Sequence, residues 1–248
     1  MKINTVNLKI RNKDIHFNFR NDSVADKGVI GQIFVNGDYN ISQWPQGAKL
    51  MEYHQTQSRT RPSLIVDAGA NIGASVIYFS EIYENSRIFS IEPDLTNWHL
   101  LELNTSGHDN IYNFHGAISN TDGELKLLDP GRSDWGFMTQ PLDDQTDDKT
   151  NVVNVVRSIS PDSILKHPST QDTTPLIFKI DIEGGEARLF DGDTSWMKKF
   201  PLIIIELHDW MLPFQGISRN FIKATTKHHF DLVHRGENIF LFNADILF

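Results

Sequence analysis

Four carboxylates each close a short apolar run in this chain. Asp67 follows Leu64–Val66, Glu92 follows Arg87–Ile91, Asp181 follows Leu176–Ile180, and Glu206 follows Leu202–Ile205. His208 stands two residues beyond Glu206, and Glu183 two residues beyond Asp181. Ionised carboxylates accept hydrogen bonds and protons, and histidine has the natural pKa of a base near neutrality. Side chains alternate along a strand, so Lys179 shares a face with Asp181, and Glu206 with His208. Asp181, His208 and Glu206 are therefore the candidate catalytic residues, with Lys179 and Glu183 beside them as substrate contacts. Mixed carboxylate and imidazole donors also suit a divalent metal, so Asp181, Glu206 and His208 form a donor set, secondary to their reading as bases. Acids also suit helix N-termini, and this is the expectation for Glu186.

These residues converge only if the apolar runs lie side by side. From Ser63 onward, strand and helix signals alternate. Strands are expected at Leu64–Asp67, Arg87–Ile91 and Ile111–Ile118, with helices at Ile72–Tyr83 and Leu95–Thr105 between them. Two such steps imply a parallel, right-handed, doubly wound sheet. After an insertion the alternation resumes, with strands at Leu176–Asp181 and Leu202–Leu207 and helices at Glu183–Phe190 and Ile217–His228. Phe230–Val233 and Ile239–Phe242 then make a closing hairpin around Arg235–Glu237. The expected fold is α/β and Rossmann-like, a mostly parallel seven-stranded sheet closed by an antiparallel hairpin, over residues 63–248. Residues 1–62 read as an N-terminal extension. It has short strands at Val6–Ile10 and Ile15–Phe19, helices at Val29–Phe34 and Ala48–His54, and a loop at Asp38–Gly47. Residues 123–157 read as an inserted hairpin carrying an acidic loop, Asp129–Lys149. Within it, Arg132–Phe137 is the candidate acceptor lid, with Trp135 placed to stack on a ring.

In open α/β sheets, ligands bind at the carboxyl ends of the strands. Here that edge carries VDAGANIGAS, Val66–Ser75, an acid followed by glycines on a strand-to-helix turn. Asn71 stands where a dinucleotide-binding turn needs the bare backbone of glycine for a pyrophosphate. A cofactor without phosphate, such as S-adenosylmethionine, has no such need. Asp67 beside the turn would repel a pyrophosphate and attract an amino group. Glu92, one strand on, suits the paired hydroxyls of a ribose.

Four blocks together resemble the FkbM-type methyltransferases: VDAGANIG (Val66–Gly73), SIEPD (Ser90–Asp94), FKIDIEGGE (Phe178–Glu186) and IIIELHD (Ile203–Asp209). DKGVIGQIFVNGDY, Asp26–Tyr39, resembles the helix that precedes the core in that family. The resemblance runs from about Leu64 to Phe242. It implies a class I methyltransferase fold and methyl transfer from S-adenosylmethionine, usually to a hydroxyl oxygen. By position it implies that Asp67, Gly69, Asn71 and Gly73 line the methionine end and that Glu92 holds the ribose. Ala117 and Ile118 would lie near the adenine, and Asp181 near the transferring methyl.

The composition limits the alternatives. The chain of 248 residues has a net charge of −9 and no basic cluster, so a small-molecule or glycan acceptor is expected and nucleic acid is not. It has no cysteine, which excludes disulfides, thiolate catalysis and Cys-ligated zinc. No apolar run is long enough to span a bilayer, and Met1–Asp14 lacks the apolar stretch of a secretion signal, so a cytoplasmic location is expected. Two rival readings remain: an NAD-dependent oxidoreductase, against which Asn71 and the closing hairpin argue, and a non-catalytic Rossmann-like binding module.

Overall fold

The computed structural model describes residues 2–129, 131, 136–144 and 151–248. Trp135, the proposed lid aromatic, lies outside them. The chain opens with an antiparallel hairpin, β1 (Ile3–Ile10) and β2 (Lys13–Arg20). Helix α1 (Val24–Ile30) follows, its first turn capped by Ser23, whose hydroxyl accepts from the Asp26 amide. It runs on into a π-helical stretch, Gly31–Asn36. Helix α2 (Pro45–Gln57) starts inside the segment expected as loop, because Pro45 sits in its first turn, where the missing N–H costs nothing.

The main sheet then builds up through β3 (Ser63–Ala68), α3 (Ala74–Ile82), β4 (Ser86–Glu92), α4 (Leu95–Thr105) and β5 (Ile111–His115). The third strand was expected to continue to Ile118, but it breaks at Gly116. A side chain there would collide with the Arg157 carbonyl and with the Phe114 ring. Beyond the break, β6 (Ala117–Ile118) joins a second sheet with β7 (Gly123–Asp129), β8 (Met138–Pro141) and β9 (Asn151–Ile159), in the order β6-β9-β7-β8. The inserted hairpin is thus β7 against β9, with β8 added on the far side of β7. The chain continues through α5 (Pro161–Lys166), β10 (Thr174–Ile180), α6 (Glu186–Leu189), β11 (Leu202–Glu206) and α7 (Arg219–Thr225). It ends with β12 (Phe230–Arg235), β13 (Asn238–Asn243) and α8 (Ala244–Leu247).

The seven-stranded sheet has the order β12-β13-β11-β10-β3-β4-β5. It is mixed: β13 runs antiparallel to both its neighbours, and the other strands run one way. All six residues of β3 are buried, as expected for a central strand covered on both faces. Ile65 packs into one apolar layer with Val76, Phe79 and Phe240, while Leu64 and Val66 pack into the other with Phe178 and Phe200. Leu8, Ile10 and Phe17 of the N-terminal hairpin belong to the first of these layers. No helix among the described residues is long and apolar enough to cross a membrane.

Strand order reverses between β3 and β10, since the chain leaves β3 toward β4 and β5 and later returns to lay β10 on its other side. That switch point leaves a crevice at the carboxyl ends of the two strands. Gly69 and Asp181 stand on either side of it.

Candidate active site

The turn after β3 is locked against β10. Gly69 has φ +80°, and a Cβ there would run into the Asp181 carbonyl oxygen, so only glycine fits. Gly73 has φ +90° and caps α3, with Leu101 where a side chain would project. Asn71 between them also takes a left-handed conformation, φ +49°. The expected helix at Ile72 therefore starts only at Ala74, because a left-handed residue interrupts the helical repeat.

Asp67 is fully buried beneath this turn. It accepts a 2.5 Å hydrogen bond from the Ser75 hydroxyl and pairs with the Lys179 ammonium at 3.1 Å. Lys179, 2% exposed, also donates to the Gly69 carbonyl at 2.6 Å. Burial works against its charge, and Asp67, Tyr39 and Asp181 more than offset this, holding its pKa above the ordinary lysine value. Lys179, expected on the acceptor, lines a small cavity beside Gly69, Asn71, Asp181 and Glu206, while Asp67, expected on the cofactor, is fully enclosed. Both side chains point into the protein and brace the turn from below.

Glu92 ends β4 and is 5% exposed. One carboxylate oxygen accepts from the Asn71 amide at 2.8 Å and the other from the Asp94 amide at 2.9 Å. Burial pushes its pKa up to about 7. Gly69, Asn71, Glu92, Ala117, Ile118 and Asp181 line one narrow cleft that opens to solvent. Of the residues assigned to the cofactor, Asp67 and Gly73 lie outside that lining. Pro93, Asn97 and Thr139 belong to it and were not anticipated, and Phe137 comes from the expected lid segment. Glu92, Asp181 and Glu183 give this cleft three carboxylates, and no lysine, arginine or histidine lines it among the described residues. A pyrophosphate would meet repulsion there, whereas a cationic ligand would meet attraction.

A second, wider cleft shares Asn71, Asp181 and Glu183 with the first. Glu206, His208, Trp210, Met211, Glu237 and Gly136 line the rest, together with Val29 and Gln32 of the N-terminal segment. Trp210, 70% exposed, and Glu237 escaped the sequence reading. The only available signal for Trp210 was an indole two residues past His208, on the strand edge that carries the other site residues.

His208 sits at the floor of the wider cleft, 1% exposed. Its Nδ1 donates to the fully buried carboxylate of Glu186 at 2.8 Å. Glu186 does open α6 as expected, but its side chain serves His208. The other ring nitrogen, Nε2, faces Glu206 at 3.4 Å, Glu183 at 3.5 Å and Asp181 at 3.6 Å. Burial disfavours the imidazolium, yet Glu186, Glu206 and Asp181 outweigh it and raise the His208 pKa to about 11. Burial and the neighbouring Asp181 push Glu183 up to about 8, and burial raises Glu206. The backbone aids this convergence. Glu183 has φ +53° and Gly184 φ +97°, so the chain turns sharply after β10 and α6 begins only at Glu186.

The sequence-based set Asp181, Glu183, Glu206 and His208 is therefore gathered in one place, at the junction of two clefts. A family model described as the methyltransferase FkbM domain matches residues 67–238, more than half of the chain. No curated protein matches the chain. Among solved structures, the methyltransferase FkbM of Methylobacillus flagellatus KT is similar at 17% identity and a TM-score of 0.47. The match covers 88% of this chain and 55% of that one, so the chain spans about half the length of that protein. The fibrillarin pre-rRNA processing protein of Methanococcus jannaschii is similar at 11% identity and a TM-score of 0.44, over 96% and 80% of the two chains. TrmK of M. capricolum, solved with S-adenosyl-homocysteine, is similar at 7% identity and a TM-score of 0.39, over 77% and 68%. The family match rests on the stretch that holds the glycine turn, Glu92, Asp181 and His208, and by it the chain belongs to the FkbM methyltransferase family.

Proposed function

We propose that this protein is an S-adenosylmethionine-dependent O-methyltransferase acting on a hydroxyl of a small-molecule or glycan acceptor. One observation carries the reading: a narrow, anionic cleft that opens, past Asp181 and Glu183, into a wider one. The narrow cleft fits S-adenosylmethionine, because its lining carries carboxylates where a dinucleotide would need phosphate donors. Bound there, S-adenosylmethionine supplies a methyl group on a sulfonium, which passes to an acceptor oxygen and leaves S-adenosylhomocysteine.

The residues divide the remaining work. Glu92 accepts the ribose hydroxyls, while Ala117 and Ile118 flank the adenine with apolar surface. Gly69 and Asn71 face the methionine end, and Asp67, Lys179 and Gly73 hold the turn in shape. Much of the acceleration comes from aligning two reactants across the junction. As the O–C bond forms, the hydroxyl proton must leave, and Asp181 or Glu183 receives it, since these carboxylates line both clefts. His208, held as an imidazolium by its carboxylates, is a poorer proton acceptor than its residue type suggests. Trp210 offers an indole face to a sugar or aliphatic ring.

Calorimetric titration with S-adenosylhomocysteine and with NAD separates this reading from an oxidoreductase. Binding of the former alone is expected, and binding of NAD alone overturns the proposal. Methyl incorporation should then be screened over sugars, glycolipids and polyketide-like alcohols. Loss of incorporation in Asp181→Asn or Glu183→Gln excludes a non-catalytic binding module.

A further inference from the structure

The geometry points to a divalent cation held by Asp181, Glu206 and His208 at the floor of the wider cleft. These three side chains each place a donor atom so that all lie within 4.8 Å of one another. The set of two carboxylate oxygens and one imidazole nitrogen suits magnesium or manganese ahead of a thiolate-seeking metal.

The orientation of His208 is the independent observation. The ring is 1% exposed, and its Nδ1–H is committed to the buried Glu186 carboxylate at 2.8 Å. That bond leaves Nε2 as the atom aimed into the cluster, where a cation would displace the proton that the carboxylates otherwise hold on it, and a carboxylate partner on the far nitrogen is how metal-binding histidines are held. Nε2 meets its three carboxylate neighbours at 3.4, 3.5 and 3.6 Å. Good hydrogen bonds of this kind are shorter, about 2.7–3.2 Å. Adjacent donors around one cation bonded at about 2.1–2.4 Å stand about 3.0–3.4 Å apart, by right-angle geometry. Within the donor set, Nε2 stands 3.4 Å from Glu206 and 3.6 Å from Asp181, close to that spacing, and all three donors lie within 4.8 Å.

Charge supports the same conclusion. Asp181, Glu183, Glu206 and Glu186 surround a single imidazole, and the Lys179 ammonium, paired with Asp67 at 3.1 Å, reaches only Asp181 among them, at 3.6 Å. Carboxylates gathered in partly buried surroundings need more positive charge than one imidazole supplies. Asp181 and Glu206 remain partly open to the cleft, which leaves positions for water or a hydroxyl. On the methyltransferase reading, which this step alone depends on, a hydroxyl bound to the cation becomes more acidic and gives its proton to Glu183, the neighbouring carboxylate outside the donor set.

The test uses the full chain, stripped with chelator, and manganese(II) alone. Electron paramagnetic resonance should show one saturable site, with spin-echo modulation from a directly bound nitrogen. Glu206→Gln and His208→Ala should weaken manganese binding at least tenfold while S-adenosylhomocysteine still binds. Glu186→Gln, which acts through His208, should weaken it about 10- to 100-fold. No saturable binding to the wild type overturns the proposal, as does bound manganese without nitrogen coupling. The wild-type signature decides the matter even where a variant fails to fold. Failure of the methyltransferase reading would appear separately, as absent S-adenosylhomocysteine binding in the presence of bound manganese.

Discussion

Glu92 is the residue whose chemistry is most sharply set by its surroundings. Burial raises its pKa to about 7, with Asp94 adding repulsion, while amides of Asn71 and Asp94 and the charge of Lys179 oppose the rise. With the cofactor placed as proposed, ribose hydroxyls would donate to the ionised carboxylate, so binding would favour loss of its proton. Affinity for S-adenosylhomocysteine should therefore rise with pH up to about 7 and level off above it. Glu92→Gln should flatten that profile and weaken binding about 10- to 100-fold, the scale of a charged hydrogen bond. A profile unchanged by the substitution would remove Glu92 from the cofactor. Lys179 makes a different kind of prediction. Lys179→Met leaves Asp67 buried without its counter-charge, at a cost of about 3–5 kcal/mol in denaturant unfolding. Adding Asp67→Asn should recover most of that loss, and a single-variant cost below about 1 kcal/mol would mean the brace is idle. From sequence, Lys179 was legible as a residue on the same face as Asp181, but its partner was not. The alternation of a strand tells which face a side chain takes, and only the packing of β3 against β10 tells which group it meets.

At the level of elements, the glycine turn and the β10–α6 turn are a single joint. The turn after β3 runs so close to β10 that Gly69→Ala would drive a methyl into the Asp181 carbonyl. The strand end carrying Asp181 must then move, and the two clefts lose their common wall. The substitution should lower the melting temperature by several degrees and abolish S-adenosylhomocysteine binding, both read in one thermal-shift titration. Retained binding would show that the joint tolerates displacement. The central strands β3, β4, β10 and β11 were readable because each is a mostly apolar run buried on both faces. Helices α3, α6 and α7 were read as longer than they are, whereas α4 has the expected bounds and α2 is longer than expected. Glu183 with Gly184, and Asn71 with Gly73, take left-handed backbone at the points where an apolar pattern continues, and periodicity carries no record of φ. The same limit hid the service of Glu186 to His208, a contact across 22 residues that depends on where α6 begins.

For the whole molecule, the N-terminal segment and the charge of the clefts decide what the site is and what it accepts. Phe17 is fully buried in the layer that covers β3 and α3, and its ring meets Phe34 at 5.9 Å. Arg20, at the end of the same hairpin, donates to Asp26 and to Asn97, a residue of the narrow cleft. The segment read as an extension thus shares the core of the sheet and reaches the site. Phe17→Ala should cost about 3–5 kcal/mol of global stability in one cooperative transition. A separate early transition would instead mark the segment as an independent unit. The acceptor is constrained by the charge of the wider cleft. Asp181, Glu183, Glu206 and Glu237 all face the wider cleft, and the chain as a whole carries a net charge of −9. Even with a divalent cation on its floor, that cleft keeps an excess of negative charge. A phosphorylated or carboxylated acceptor must therefore enter against repulsion that a neutral sugar or alcohol does not meet. Paired substrates differing only by a phosphate should show kcat/KM at least tenfold lower for the charged member at low salt. The gap should narrow as ionic strength rises and screens the cleft. The reverse preference, persisting in salt, would mean that a cationic subsite outside the described residues receives the acceptor.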